Sequence, residues 1–83
     1  MKLNVEIKVK AGDDCIAKNY RSKFGQWENG TVTHVTVEIT NELKYSVHYR
    51  VRLDRVIEYP NKPWKNHHLF LTVGNDKIDA CTP

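Results

Sequence analysis

A stripe of basic side chains is the first feature of this sequence that could do chemistry. Basic and apolar residues alternate between Tyr45 and Leu53, so in a β-strand the basic ones share one face. The basic stripe consists of His48, Arg50 and Arg52, extended by Lys44 and Arg55. Its successive side chains are spaced by roughly 6.5–7 Å, close to the phosphate spacing of an extended nucleic acid. This spacing predicts a nucleic-acid contact; the alternative is a solvated face paired across strands with Glu38 or Glu6.

Aromatic side chains near polar loops are the second such feature. Tyr20, Phe24 and Trp27 lie in or beside the polar segment 21–30, and Trp64 follows a proline in a segment with basic neighbours. Exposed aromatic rings stack on bases, cage cations or anchor protein partners. We therefore expect these four residues to bind a partner. The alternative is that Trp27 packs over the end of the core and that the Trp64 loop folds back on it.

Patterns for catalysis and metal binding are missing from the sequence. It contains no Gly-x-Ser-x-Gly, no glycine loop for phosphates and no His-Glu-x-x-His. His67 and His68 are adjacent, so on a strand they point to opposite faces and chelate one ion poorly. Asp13 and Asp14 are typical of a turn. We predict no enzyme activity, no metal and no cofactor.

The composition is that of one small folded domain spanning residues 1–83. The hydrophobic fraction is 40% and the charged fraction 28%. So short a chain buries only about 60–65% of its unfolded surface, which leaves no room for a large internal cavity. Charged residues interrupt the N-terminal apolar positions, so we expect neither a signal peptide nor a membrane contact, and a cytoplasmic location. Without secretion, Cys15 and Cys81 are expected to be free thiols.

Alternation of apolar and polar residues predicts β-strands throughout. The predicted strands are residues 3–9, 15–20, 31–40, 45–54 and 69–73, with a short edge strand at 77–79. Asn29-Gly30 is the strongest hairpin signal, because both residues tolerate positive φ. Val32 is out of phase with Val35, which predicts a bulge near Thr33. Short strands joined by turn residues favour a barrel of five or six strands.

Three segments resemble a Tudor-like or SH3-like barrel. They are residues 12–18, which contain Gly-Asp followed by apolar residues and Ala, residues 27–35, which begin Trp-Glu-Asn-Gly-Thr-Val, and the alternating aromatic segment 45–51. The resemblance covers about residues 11–53, and Leu53-Asp54-Arg55 replaces the Asp-Tyr-Gly turn that often closes the Tudor strand. It implies an all-β, five- to six-stranded, SH3-like (Tudor-like) antiparallel barrel. It also implies a binding module whose peptide, methylated side chain or nucleic acid lies near loop aromatics.

These observations lead to one main functional hypothesis and several alternatives. The main hypothesis is a small non-catalytic binding module that acts through protein contact, such as an adaptor, a regulator, or a host-interaction or inhibitor protein of a phage or mobile element. The first alternative is nucleic-acid binding along the basic stripe, which a net charge of +3 permits without requiring. A metal or enzyme site is a weaker alternative. A homodimer through the edge strand 3–9 is the last.

Overall fold

The computed structural model describes residues 5–40, 44–57 and 67–81, and in this part the chain is all-β. The elements are β1 (Asp14–Lys18), β2 (Trp27–Ile39), β3 (Tyr45–Ile57), β4 (His67–Gly74), a 3-10 turn (Asn75–Lys77) and β5 (Ile78–Ala80). Trp64 lies outside the described residues. No helix of the described segments is long and apolar enough to cross a membrane.

The five strands form one antiparallel sheet in the order β4-β3-β2-β1-β5. The edge strands β4 and β5 follow each other in the chain, separated only by the 3-10 turn Asn75–Lys77. In a flat five-stranded sheet the edges would lie about 19 Å apart. The four residue steps from Gly74 to Ile78 span at most about 14 Å. The sheet must therefore curl, although β4 and β5 do not pair and the described strands do not close into a barrel.

The core lies on the concave face of the curled sheet. On β3 the side chains of Val47, Tyr49, Val51 and Leu53 are buried and alternate with less buried ones, as the alternation over residues 45–54 predicts. The buried apolar residues form one cluster: Val9, Cys15, Ala17, Val32, Val47, Tyr49, Val51, Leu53, Leu71, Val73 and Ile78. Because every strand contributes to this cluster, burial of apolar surface holds the sheet in its curl. The other side of the sheet, called the outer face below, carries Arg50, Arg52 and Asp54 in solvent.

Two irregularities in strand pairing let the long strands bend. The register of β2 against β3 shifts between Val32 and His34, which confirms the predicted bulge. The register of β3 against β4 shifts between Arg52 and Val56. Bulges increase local twist and bend a strand, and β2 and β3 are each 13 residues long. The bends therefore lie where the two longest strands must follow the curl.

The hairpin turn predicted at Asn29-Gly30 is wrong. Both residues lie within β2, where Asn29 pairs with Ile16 and Gly30 with Cys15. The chain reverses direction at residues 19–26 instead. A Cβ atom on Gly30 would stand 2.7 Å from the Arg52 carbonyl oxygen and 2.7 Å from a Val51 methyl carbon. Gly30 is thus explained by close approach of β2 and β3, and local turn propensity is overridden by packing.

The predicted strand at residues 3–9 is also wrong over its described part. Residues 5–9 are not a strand, and tyrosine hydroxyls of β3 accept their amide hydrogens. Glu6 N donates to the Tyr45 hydroxyl at 3.1 Å, and Lys8 N donates to the Tyr49 hydroxyl at 2.9 Å. Val9 is buried in the core cluster. The segment therefore covers the core-facing side of β3 and is not a sheet edge, since β4 and β5 are the edges. Self-association remains a prediction, but the described part of this segment is not a sheet edge through which a dimer could form.

Lys8 also joins the two ends of the described chain. Its ammonium group donates to the Ile78 carbonyl at 3.3 Å and pairs with the Asp79 carboxylate at 3.5 Å. Residues 5–9 therefore lie beside β5.

One buried hydroxyl connects three parts of the molecule. Tyr49, with no exposed surface, accepts from Lys8 N and donates to the Asn75 side-chain oxygen at 2.5 Å. Asn75 Nδ2 donates in turn to the Glu6 carbonyl at 3.2 Å. The hydroxyl of Tyr49 thus ties β3 to the N-terminal segment and to the 3-10 turn.

We expect Tyr49→Phe to lower the free energy of unfolding by about 1–3 kcal/mol, because it leaves the Lys8 amide and the Asn75 side chain without the buried hydroxyl that they contact. Urea denaturation followed by tryptophan fluorescence measures the loss. Tyr45→Phe is the matched control, since its hydroxyl accepts one exposed bond, and it should cost less than about 1 kcal/mol. Equal losses in the two variants would show that the buried hydroxyl of Tyr49 contributes no more to stability than the exposed hydrogen bond of Tyr45.

The two cysteines are free thiols, as predicted, and they differ in environment. Cys15 is buried and Cys81 exposed. Burial, with a smaller contribution from the nearby carboxylate of Asp54, raises the pKa of the Cys15 thiol to about 11. Since the thiolate is the reactive form, Cys15 is protected twice, by access and by protonation.

Labelling with a thiol reagent at about pH 8 should therefore modify Cys81 rapidly and Cys15 only after unfolding. Mass spectrometry of the time course counts one fast thiol in the native chain and two in denaturant. In Cys81→Ser no fast labelling should remain. Two fast thiols in the native protein would contradict the burial of Cys15.

Candidate functional site

The loop between β1 and β2, residues 19–26, carries exposed aromatic side chains and is called the aromatic loop. Its first residue, Asn19, is only 1% exposed. Asn19 Nδ2 donates to Glu28 Oε2 at 2.6 Å, and its Oδ1 accepts from Arg21 N at 3.0 Å. Because both ends of this buried amide are satisfied, Asn19 anchors the loop at the end of β1.

Further hydrogen bonds close the aromatic loop on itself. Asn19 N donates to the Gln26 carbonyl at 2.8 Å, and the Ser22 hydroxyl donates to the Asn19 carbonyl at 2.8 Å. Gln26 N donates to the Ser22 hydroxyl at 2.9 Å. Gly25 has a φ of 58°, which favours glycine at that turn. These bonds fix the backbone that presents the aromatic rings.

The predicted aromatic residues within the described chain are exposed at this end of the molecule. Phe24 is 79% exposed, Tyr20 56% and Trp27 44%. Trp27 lies in β2 and not in a loop, and it is not one of the partly buried hydrophobic residues that pack against the core cluster. The Arg21 guanidinium lies 5.9 Å from the Tyr20 ring centre, and the Lys23 ammonium 5.5 Å from that of Phe24. The loop therefore combines apolar rings with positive charge.

Arg55, predicted as part of the basic stripe, has a carboxylate partner. Its Nε lies 2.9 Å from Glu28 Oε1. The hydrogen bond from Asn19 holds the pKa of Glu28 below its ordinary value, with a further contribution from Arg55 and an opposing one from burial. The stability that Glu28 provides is present at neutral pH and is lost as the pH falls through this lowered pKa. An open hollow of about 330 Å³ beside this pair is lined by Trp27, Glu28, Asn29, Asp54 and Arg55.

The remaining basic residues of β3 are His48, Arg50 and Arg52, and they occupy the outer face. Arg50 is paired across strands with His34 and Thr72, and Arg52 with Thr31 and Phe70. His48 lies between Thr36 and Gly74, and Lys44 immediately precedes β3. Among the described residues neither arginine forms an ion pair. Of the predicted alternative, the solvated face is present, since Arg50 and Arg52 are exposed, whereas no ion pair with Glu38 or Glu6 occurs among the described residues.

A second open hollow lies on the outer face and is called the outer-face hollow. Its volume is about 420 Å³, and it is lined by Tyr20, Arg21, Arg50, His67, His68, Leu69, Phe70 and Thr72. The Arg50 guanidinium carbon lies 4.9 Å from the centre of the Phe70 ring. The Phe70 residue remains 38% exposed. The hollow thus joins a residue of the predicted aromatic site, Tyr20, to one of the basic stripe, Arg50.

Phe70 is a functional candidate outside the predicted site residues, and it lies in the strand predicted at residues 69–73. The signal was present, since Leu69, Leu71 and Val73 alternate with Phe70 and Thr72. In β4, Leu71 and Val73 are buried and Phe70 and Thr72 exposed. Period-two alternation therefore predicts Phe70 on the outer face.

The described residues contain no cluster of three or more His, Cys, Asp or Glu side chains that could hold a metal ion. His68 instead donates from Nδ1 to the Leu53 carbonyl at 2.7 Å. Comparison with protein-family models, curated proteins and solved structures gave no match to this chain. The function must therefore be argued from the geometry of the aromatic loop and the outer face.

Replacing Asn19 by alanine should lower the free energy of unfolding by about 1–3 kcal/mol, because Glu28 and the Arg21 amide lose a buried partner. The loop should also become sensitive to trypsin at Arg21 and Lys23. Chemical denaturation and limited proteolysis measure the two effects. Asn29→Ala, an exposed position on β2, is the control and should resemble the wild type. Unchanged protease resistance in Asn19→Ala would show that Asn19 does not order the loop.

Proposed function

We propose that this protein is a small non-catalytic binding module that acts through protein contact, with the aromatic loop and Trp27 as its contact surface. The observation that carries the proposal is Phe24, whose side chain is held in solvent on a loop closed by its own hydrogen bonds. A large apolar ring in this position contributes little to folding, since folding does not remove it from water.

A fixed aromatic loop has the properties of a protein-binding surface. Aromatic side chains supply much of the binding energy at protein interfaces, where burial in a partner's pocket removes them from water. Ordering a flexible loop costs free energy on binding, and a loop that is already ordered avoids most of that cost. The bonds of Asn19 and Ser22 supply this order before any partner arrives.

The charges around the loop indicate the chemistry of the partner. Arg21 and Lys23 lie beside the rings of Tyr20 and Phe24. Lys18 packs against the loop, since a Cβ atom on Gly25 would meet its Cε at 2.8 Å. Glu28, an acidic residue close to the loop, is already engaged by Asn19 and Arg55. A pocket that accepts an aromatic ring and has carboxylates at its rim would complement this surface.

The curled, five-stranded antiparallel sheet supports the finer part of the proposal, a fold of the SH3-like or Tudor-like type used as a cytoplasmic adaptor, regulator or inhibitor. The biological setting proposed is that of a host-interaction protein of a phage or mobile element. The sheet provides the rigid support, and the aromatic loop provides the contact.

Photo-crosslinking from position 24 tests the proposal. A photoreactive phenylalanine analogue in place of Phe24 should capture one discrete protein in cells, and Trp27→Ala in the same chain should abolish the product. The same analogue at Ile39, an exposed apolar position of β2, is the control and should not capture it.

Titration with the purified partner then measures the contribution of each ring. Phe24→Ala and Trp27→Ala should each weaken binding by about 30-fold, the effect of a hot-spot residue, while Ile39→Ala leaves it unchanged. Identical capture from positions 24 and 39, or unchanged affinity in a folded Phe24→Ala variant, would exclude the aromatic loop as the contact surface.

A further inference from the structure

We propose that the outer-face hollow is a second binding site, adjoining the protein contact at Tyr20 and Arg21, and that it takes single-stranded nucleic acid. One base lies in the hollow against Phe70, and neighbouring phosphates contact Arg50 and Arg52. The anchors of this site are on β3 and β4, whereas the anchors of the protein contact are Phe24 and Trp27.

The arginines of the outer face are available to bind phosphate groups. Arg50 and Arg52 stand on alternate positions of one strand, and within the described segments neither forms an ion pair. Their cross-strand neighbours are His34, Thr31, Thr72 and Phe70, none of which is acidic. Arg21 adds a third guanidinium at the rim of the hollow. Guanidinium groups without carboxylate partners are suited to phosphate oxygens, which they bind through two parallel hydrogen bonds.

The ring of Phe70 beside these arginines is partly exposed and can stack on a base. Phe70 lies on the polar outer face, beside Arg50 and opposite Arg52, and more than a third of it is exposed to solvent. A surface that offered carboxylates alone would pair with the arginines and leave this ring in water. A nucleobase would use both, because bases stack on aromatic side chains and on guanidinium planes while the attached phosphates meet the cations.

The shape of the hollow favours a single strand over a duplex. Its volume of about 420 Å³ is that of a small-ligand site, and it is bounded on one side by Tyr20 and Arg21 of the aromatic loop. Bases in a duplex are stacked within the helix and cannot enter such a hollow without being flipped out. A single strand offers unstacked bases directly. The Thr72 hydroxyl in the lining can donate to or accept from a base edge.

Fluorescence anisotropy with labelled oligonucleotides tests the proposal over a series of salt concentrations. The probes are a short oligothymidine, the matching oligouridine and a duplex of the same length. Polyglutamate serves as an unlabelled competitor. The wild type should bind one or both single strands more tightly than the duplex and should resist displacement by polyglutamate. A preference between the two single strands identifies DNA or RNA as the ligand.

Two variants separate the roles of charge and ring. Arg50→Gln should weaken binding by about tenfold and reduce the log–log salt slope by about 0.7, the value for one lost phosphate contact on a single strand. Phe70→Leu should weaken binding by about five- to tenfold and leave the salt slope unchanged, since stacking carries no counterion release. A substitution that only destabilised the fold would not change the salt slope in one variant and leave it unchanged in the other.

Two controls keep the result specific. Lys77→Gln removes the same charge from the 3-10 turn, where Lys77 is already paired with Asp76, and should retain wild-type affinity. Phe24→Ala should also bind nucleic acid normally, so that failure of the protein contact and failure of this site are distinguishable. The proposal is overturned if no oligonucleotide binds at low salt or if the duplex binds equally well. It is also overturned if polyglutamate displaces the single strand, or if Arg50→Gln behaves as Lys77→Gln does.

Discussion

The buried hydroxyl of Tyr49 is the constraint on which the rest of this structure depends. A phenol in the interior must find hydrogen-bond partners, and here they come from segments that the sheet itself does not hold, namely residues 5–9 and Asn75. Meeting that requirement brings the N-terminal segment over the core-facing side of β3 and positions the link into β5. In the described chain every buried side-chain nitrogen and oxygen has a partner. The concave side is thus occupied by the hydrophobic core and by hydrogen-bonded polar groups.

The commitment of one side leaves the other side available for binding. Alternation along β3 sends Tyr49, Val51 and Leu53 inward and Arg50 and Arg52 outward, so the same strand builds the core and the charged surface. A second buried polar group, Asn19, fixes the aromatic loop through its hydrogen bonds, as Tyr49 fixes the segments that pack against the sheet. Each candidate site is therefore supported by a buried, hydrogen-bonded side chain beneath it. Such support keeps the exposed residues ordered before binding, so that little conformational entropy is lost when a partner binds.

Local patterns predicted the strands well and failed where distant segments meet. The alternation over residues 45–54 and the phase break at Val32 were sufficient for β3 and for the bulge. Asn29-Gly30 misled because close approach to Val51 and Arg52, which is invisible in the sequence, requires a glycine inside a strand. The strand predicted at residues 3–9 misled because its described part, residues 5–9, covers the core-facing side of β3 without pairing with a strand, and the alternation does not distinguish the two arrangements. The hollow between Tyr20 and Phe70 joins positions about fifty residues apart, and no local pattern encodes that proximity.

The contact of Lys8 with Ile78 and Asp79 gives the molecule an almost circular arrangement of its chain. The first and last described segments lie side by side, so a short peptide joining them would run along existing structure and would not cross the core. Such a chain could be opened elsewhere without losing a core contact, which makes the fold suited to circular permutation.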